Sequence, residues 1–227
     1  MINEVREAYP GSNVTLLVPE QFADLYESHP AIDGIIKLPA AHVHGMIAVV
    51  KIKELVAPHQ FHLCYILPPS FGAAAAFKLA GIKERVGYIA DGRRLLLTRP
   101  FALPAPLNCQ HRSLTYFDLL RRATGLDLSY EEPKLFLNEA DDAKAAQVLA
   151  GFGVGESDRY ATLAFRAVAE SRRWGATKYI DLAKALIRRY NFKIVLMGSS
   201  EDHRVGEEIV AAVGSDRASN LAGKTSL

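Results

Sequence analysis

The feature that most constrains this chain is a rhythm. Short apolar runs, "NVTLLVPE", "GIIKL", "FHLCYIL", "RVGYI", "ATLAF" and "KIVLM", are each separated from the next by a segment of helical spacing or by turn residues. Runs of this length bounded by glycine, proline or polar residues read as strands buried on both faces. Between them, residues 1–9, 21–28, 46–56, "PSFGAAAAFKLAG", "HRSLTYFDLLRRATG" and 141–149 read as helices. Tyr179, Leu182, Ala183, Leu186 and Tyr190 repeat at helical spacing, and a last helix runs to Val213 before a short strand at 218–221. Strand and helix in alternation predict an α/β protein built on parallel sheets.

Punctuation supports that reading. Pro10-Gly11 stops the first helix and Gly125 closes the helix at 111–124. The first helix has no serine, threonine or aspartate ahead of it, so its first N–H groups lack a side-chain cap. The glycine-rich exit "GFGVGESD" suggests a boundary, giving a first domain at 1–155 and a second at 156–227. The second holds about three strands, where a doubly wound sheet ordinarily has about five or six.

Bulk properties narrow the partners. With 227 residues, 49% hydrophobic and 23% charged, the composition is globular. A formal charge of +2 and the lack of a basic tract interleaved with aromatics argue against nucleic acid. Cys64 and Cys109 are the only cysteines and form no CxxC pair, which fits a reducing compartment and a cytoplasmic location. Even "LCYILPPSFGAAAAFKLAG" is broken by prolines and glycine, so no membrane span is expected.

Candidate chemistry lies where strands end. In "AVAESRRWGATKYIDLAKAL" two arginines and the single tryptophan stand between a strand and a helix, where free N–H groups and the helix dipole favour anions. Arg172 and Arg173 read either as phosphate ligands or as a solvated turn with their stems over Trp174, itself read as core packing. In "GSSED", Ser199 and Ser200 read as caps, with Glu201 and Asp202 complementing the helix dipole. In "LPPSFGAAAA", Ser70 and Gly72 stand at a helix start, lining a cleft or serving close helix–sheet packing. Lys83, Arg85, Arg93 and Arg94 form a basic face open to solvent or to anionic groups. His42-x-His44 and His59-x-x-His62 have ligand-like spacing, but no cysteine or carboxylate stands beside them, so no metal site is expected.

Five stretches carry a resemblance: "YPGSNVTLLVPEQFADLYESHPAIDGII", "LPPSFGAAAAFKLAGIKERVGY", "ESRRW", "IVLMGSSEDHRVGEEI" and "NLAGKTSL". In this order the chain resembles the ADP-heptose:lipopolysaccharide heptosyltransferases, glycosyltransferase family 9, over essentially its whole length. The resemblance implies a GT-B-like α/β fold of two Rossmann-like domains, the N-terminal one on the acceptor side and the C-terminal one on the donor side. It implies metal-independent, inverting transfer of heptose from ADP-heptose to the lipopolysaccharide inner core, with no cofactor, by a cytoplasmic protein that associates peripherally with the inner membrane. By the same resemblance Arg172, with Arg173 beside it, would meet the donor's phosphates, and an acidic residue at Ser199–Glu201–Asp202 would meet its ribose. Ser70, Gly72 and Arg93 would lie on the acceptor side.

The departures shape the expectation. The family opens with a strand ending in Gly-Asp, whose aspartate acts as general base; that residue is expected to lie before Met1, and Asp24, Asp33 and Asp91 do not match it. The donor-binding Asp-Ser/Thr-Gly-x-x-His motif has no counterpart here. The expected protein is therefore a glycosyltransferase fragment, its N-terminal domain lacking a first strand and its C-terminal domain incomplete, inactive alone. Phe165-Arg166 replaces the family's usual Pro-Gly, and Gly175 replaces a helix-starting proline. Two other readings stay open: a catalytically incompetent nucleotide- or partner-binding fragment, and a GT-B enzyme using another sugar nucleotide. "VTLLV" is expected to lack a central neighbour.

Overall fold

The computed structural model describes residues 1–43, 45–104, 111–165, 167 and 169–225. His44, Cys109 and Arg166, named above, lie outside the described residues. Two compact units divide between Phe136 and Leu137.

The first unit runs α1 (Ile2–Ala8), β1 (Thr15–Pro19), β2 (Gly34–Leu38), α2 (Gly45–Val56), β3 (Leu63–Ile66), α3 (Phe71–Leu79), β4 (Glu84–Tyr88), β5 (Arg99–Phe101) and α4 (Arg112–Thr124). Its strands pair in parallel as β1-β2 and β3-β4-β5. Among the described residues β1 pairs with β2 alone. Strand alternation sorts the core. Cys64 joins Leu17, Ile36 and Leu38 against Val49, Ile52 and Val56 of α2 and Ala76 of α3. Leu63 and Tyr65 turn the other way, toward Leu119 and Ala123 of α4. Helix α1 has no side-chain cap, in agreement with its sequence.

Strand β5 was not foreseen. Its Pro100 argues against a central strand, but proline is tolerated on an edge, and β5 is the edge of its sheet.

The second unit runs α5 (Glu139–Gly151), β6 (Tyr160–Ala164), α6 (Ala176–Tyr190), β7 (Lys193–Met197), α7 (His203–Val213) and β8 (Ala218–Asn220). The three strands are parallel in the order β6-β7-β8. Phe165, Ala183, Ile194, Leu196, Ile209 and Ala218 form its core. On the opposite face Val148, Leu149 and Phe152 pack against Val195 and Leu221. That contact places α5 with the second unit, so the units part earlier than the glycine-rich exit at 151–155 suggests. Helix α5 is entered through a capping box between Asn138 and Asp141.

Candidate functional site

In parallel sheets the loops at the carboxyl ends of the strands gather on one edge, and in the second unit these are 165–175, 198–202 and 221–225. Phe165 turns into the core and meets Tyr179 edge-on. The chain then makes a single 3-10 turn at Glu170–Arg172. Arg172 leaves it exposed, with no side-chain hydrogen bond or ion pair among the described residues. Arg173 is also exposed, but its Nε donates to the Ala167 carbonyl at 2.9 Å.

Trp174 corrects the sequence reading. Its indole is 48% exposed instead of buried, held edge-on by Tyr179 at 5.3 Å with the Lys178 ammonium 5.9 Å from the ring centroid. Tyr179 in turn donates to the Ala164 carbonyl at the end of β6, at 3.3 Å. Gly175 has φ +92°, which the fixed ring of proline cannot adopt, so the family's usual proline is excluded by this backbone. Gly175 also leaves α6 without a side-chain cap, and the first turn of α6 carries no acidic residue. Its unpaired N–H groups and Arg172 thus stand on one strand-end edge.

At the end of β7, Ser199 and Asp202 form a capping box: Asp202 accepts from the Ser199 amide at 2.9 Å and from its hydroxyl at 2.7 Å. Asp202 is buried by this arrangement, whereas Glu201 is exposed. Of the two carboxylates, only Glu201 is presented to solvent. The loop after β8 closes on the same turn. The Gly223 amide donates to the Gly198 carbonyl at 2.9 Å, and a Cβ on Gly223, where φ is +74°, would stand 2.6 Å from Ser200 Cα.

This closure rests on residues that periodicity does not single out. Asn220, buried on β8, donates to the His203 carbonyl at 2.9 Å and to Glu207 Oε1 at 2.7 Å. Its Oδ1 accepts from the Ala222 amide at 3.1 Å. A Cβ on Gly206 would lie 2.3 Å from that oxygen. The glycine of "HRVGEEI" and the asparagine of "NLAGKTSL" are therefore two halves of one contact.

In the first unit, Ser70 caps α3 by accepting from the Ala73 amide at 3.4 Å. A Cβ on Gly72 would meet Val49 Cγ2 at an ordinary 3.5 Å, so packing does not impose glycine there. Arg93 is fully enclosed. Its Nε donates to Tyr88 O at 2.9 Å, its Nη2 to Ile66 O at 3.3 Å, and its Nη1 to the carbonyls of Pro68 and Ser70. Burial lowers the guanidinium's pKa from its ordinary value. Gly87 makes room, since a Cβ there would lie 3.2 Å from Nη2. Arg93 thus ties the 67–70 loop to the ends of β3 and β4 and offers no donor to solvent. Arg85 is likewise engaged, its Nε donating to Leu96 O at 2.7 Å. Arg94 remains exposed.

The carboxylates left as possible bases have structural partners. Asp33 accepts from the Val14 amide at 2.7 Å and from Arg6, and these bonds hold its pKa below the ordinary carboxylate value. Asp91 accepts from the Phe71 amide at 3.1 Å, and Asp24 lies 3.6 Å from Lys37. His59 stacks on Phe61 at 5.3 Å, and no group of side chains able to hold a metal ion occurs among the described residues.

Two parallel α/β units of this kind are the fold of the GT-B glycosyltransferases, and solved structures agree. The structure of E. coli ADP-heptose lps heptosyltransferase II matches with a TM-score of 0.77 at 23% identity, over 99% of this chain and 68% of that one. A family 9 glycosyl transferase from Veillonella parvula gives a TM-score of 0.85 at 18% identity, over 99% and 64%. Residues 49–227 match glycosyltransferase family 9 (heptosyltransferase), and the chain belongs to that family. It is 27% identical to Lipopolysaccharide heptosyltransferase 2 of Escherichia coli (strain K12), covering 96% of this chain and 65% of that protein. For the Salmonella typhimurium counterpart the identity is 27%, over 98% and 66%. The chain thus spans about two thirds of the length of these curated relatives.

Proposed function

We propose that the second unit binds the ADP portion of ADP-heptose, with Arg172 on the pyrophosphate, Arg173 beside it and Glu201 on the ribose hydroxyls. The Ser199–Asp202 capping box holds the turn that presents Glu201. The reaction served is inverting transfer of heptose to the lipopolysaccharide inner core, whose acceptor sugar belongs to the first unit near the 67–70 loop. Ser70 shapes that loop and Arg93 positions it without touching the acceptor.

One observation carries the reading: a cation without a partner among the described residues stands beside an uncapped helix N-terminus, at the strand-end edge that also presents Glu201. Both groups favour a diphosphate. A departing ADP gains negative charge, so the same contacts would strengthen as the glycosidic bond to the leaving group breaks. The acceptor hydroxyl needs a base, and Asp24, Asp33 and Asp91 are engaged elsewhere. We assign the second unit donor binding.

Calorimetric titration with ADP-heptose tests the assignment. A charge-assisted bond contributes about 1.5–3 kcal/mol, so Arg172→Ala is expected to weaken binding roughly tenfold to a hundredfold. Binding is expected to survive a chelator. An unchanged dissociation constant for Arg172→Ala refutes the phosphate role, and binding of other sugar nucleotides in preference to ADP-heptose refutes the donor.

A further inference from the structure

The strand-start edge of the second unit lies at the other end of β6, β7 and β8 from the loops assigned to the donor, and it gathers residues that assignment does not use. Main-chain bonds tie its segments together: the Lys193 amide donates to Arg159 O and the Ile194 amide to Arg217 O, both at 2.8 Å. Arg217 also donates to Asn191 Oδ1 at 2.7 Å, holding the turn between α6 and β7. On this frame Tyr190 and Phe192 stack at 5.5 Å, with 27° between their planes. Each ring carries its own guanidinium. The Arg159 group lies 4.9 Å from the Phe192 centroid, and the Arg189 group 5.3 Å from that of Tyr190.

Structural duties account for part of this charge. Lys193 pairs with Asp158 at 2.7 Å, Arg217 holds its turn, and arginines in the last turn of α6 complement the helix dipole. Arg159, Arg188 and Arg189 are nonetheless exposed, and none has a side-chain hydrogen bond or an ion-pair partner among the described residues. A guanidinium lying over a ring keeps in-plane N–H groups for a carboxylate, which it can meet in pairs. Tyr160, at the start of β6, and Tyr190 are 44% and 43% exposed, and neither hydroxyl has a partner among the described residues. Arginine and tyrosine are the residues that carry binding energy at protein interfaces. Of the acids in these segments, Glu156, Asp158 and Asp216, only Asp158 pairs with one of the cations among the described residues. Opposite charge therefore selects an acidic occupant. Nucleic acid fits less well, because Tyr190 and Phe192 are already stacked on each other and on guanidinium groups, where bases would need a platform. A two-fold contact with a second copy would place these arginines against the same arginines of the other.

We propose that this edge docks an acidic segment of a partner protein, with Arg159, Arg188 and Arg189 meeting its carboxylates and Tyr160 and Tyr190 packing beside them. The surface requires no nucleotide, so this reading stands or falls separately from donor binding. Fluorescence anisotropy of fluorescein-labelled decaglutamate, titrated with the full chain in the absence of nucleotide, tests it. Saturable binding is expected at low salt and is expected to weaken as salt rises. Arg159→Gln and Arg189→Gln should each weaken binding roughly threefold or more, and the two together roughly tenfold or more, since each removes a guanidinium–carboxylate pair. Lys78→Gln, which removes an exposed charge from the first unit, should leave binding unchanged. The melting temperature should hold in all of these variants, because the side chains removed already stand in water. Absence of saturable binding overturns the proposal, as does full retention of binding in the Arg159→Gln, Arg189→Gln double variant or an equal loss in Lys78→Gln. Tighter binding of a labelled decathymidylate than of the peptide would assign the edge to nucleic acid and overturn it too. So would self-association in ultracentrifugation that the double variant abolishes, which would assign the edge to a second copy.

Discussion

Gly206→Ala tests how the strand-end edge of the second unit is assembled. The added methyl would lie 2.3 Å from Asn220 Oδ1, 2.6 Å from Cγ and 2.7 Å from Nδ2, so Asn220 cannot remain where it is. Moving it breaks the bonds to His203 O, Glu207 and the Ala222 amide in a buried place. Leaving such groups unsatisfied costs about 1–3 kcal/mol. Overpacking adds about 1–3 kcal/mol, and alanine returns about 1 kcal/mol by its better helix propensity. The balance is a loss of roughly 1–5 kcal/mol. Trp174 is the chain's single tryptophan and lies in the second unit, so its fluorescence in a urea titration follows this unit selectively. Adding Asn220→Ala opens space for the methyl, and the double variant should fall short of the summed losses by about 1 kcal/mol or more. If Gly206→Ala is as stable as the parent or more so, the lock does not exist. Strict additivity with Asn220→Ala would refute the contact equally.

Two further outcomes follow from groups away from the site. Burial pushes the Cys64 thiol up to about 12, so at pH 8 it is expected to resist a thiol reagent in the native chain and react once urea is added; peptide mapping showing rapid native labelling of Cys64 would contradict its environment. Asp158 is held below its ordinary value first by the hydrogen bond from Lys193, at 2.7 Å, and then by the Gly155 amide. A depressed carboxylate stabilises the fold above its unfolded pKa, and that contribution is lost as pH falls through the folded value. Asp158→Asn should therefore lower the urea midpoint at pH 6 and lose that difference as the pH falls below about 4; an equal difference at both pH values would exclude ionisation as its cause.

Much of the architecture was legible because burial on both faces forces short strands to be apolar throughout. "KIVLM" and "GIIKL" coincide with β7 and β2 for that reason. What escaped was decided by tertiary context. Pro100 hides an edge strand, because the rule that removes proline from sheets relaxes at an edge. Helix α5 lies before the glycine-rich exit yet joins the second unit, since Val148, Leu149 and Phe152 find their apolar partners on β7 and after β8. Local punctuation marks where a chain can bend; it does not say which core a helix will join.

The site shows the same division more sharply. Arg172 and Glu201, expected at the donor site, are both exposed at strand-end loops. Arg93 was read from its charge, but a guanidinium can satisfy its donors on main-chain carbonyls, and four of them surround this one. Asp202 is similar: its carboxylate is spent on Ser199, three residues away. Charge in a motif therefore marks two populations, groups left exposed at a strand end and groups that hold the loop. Spacing sorts the local ones, as with the capping box. It does not reach Asn220 and Gly206, which meet only after α7 has folded back along β8, so the closure of the 221–225 loop over the 198–202 turn is set by a contact between two separate motifs.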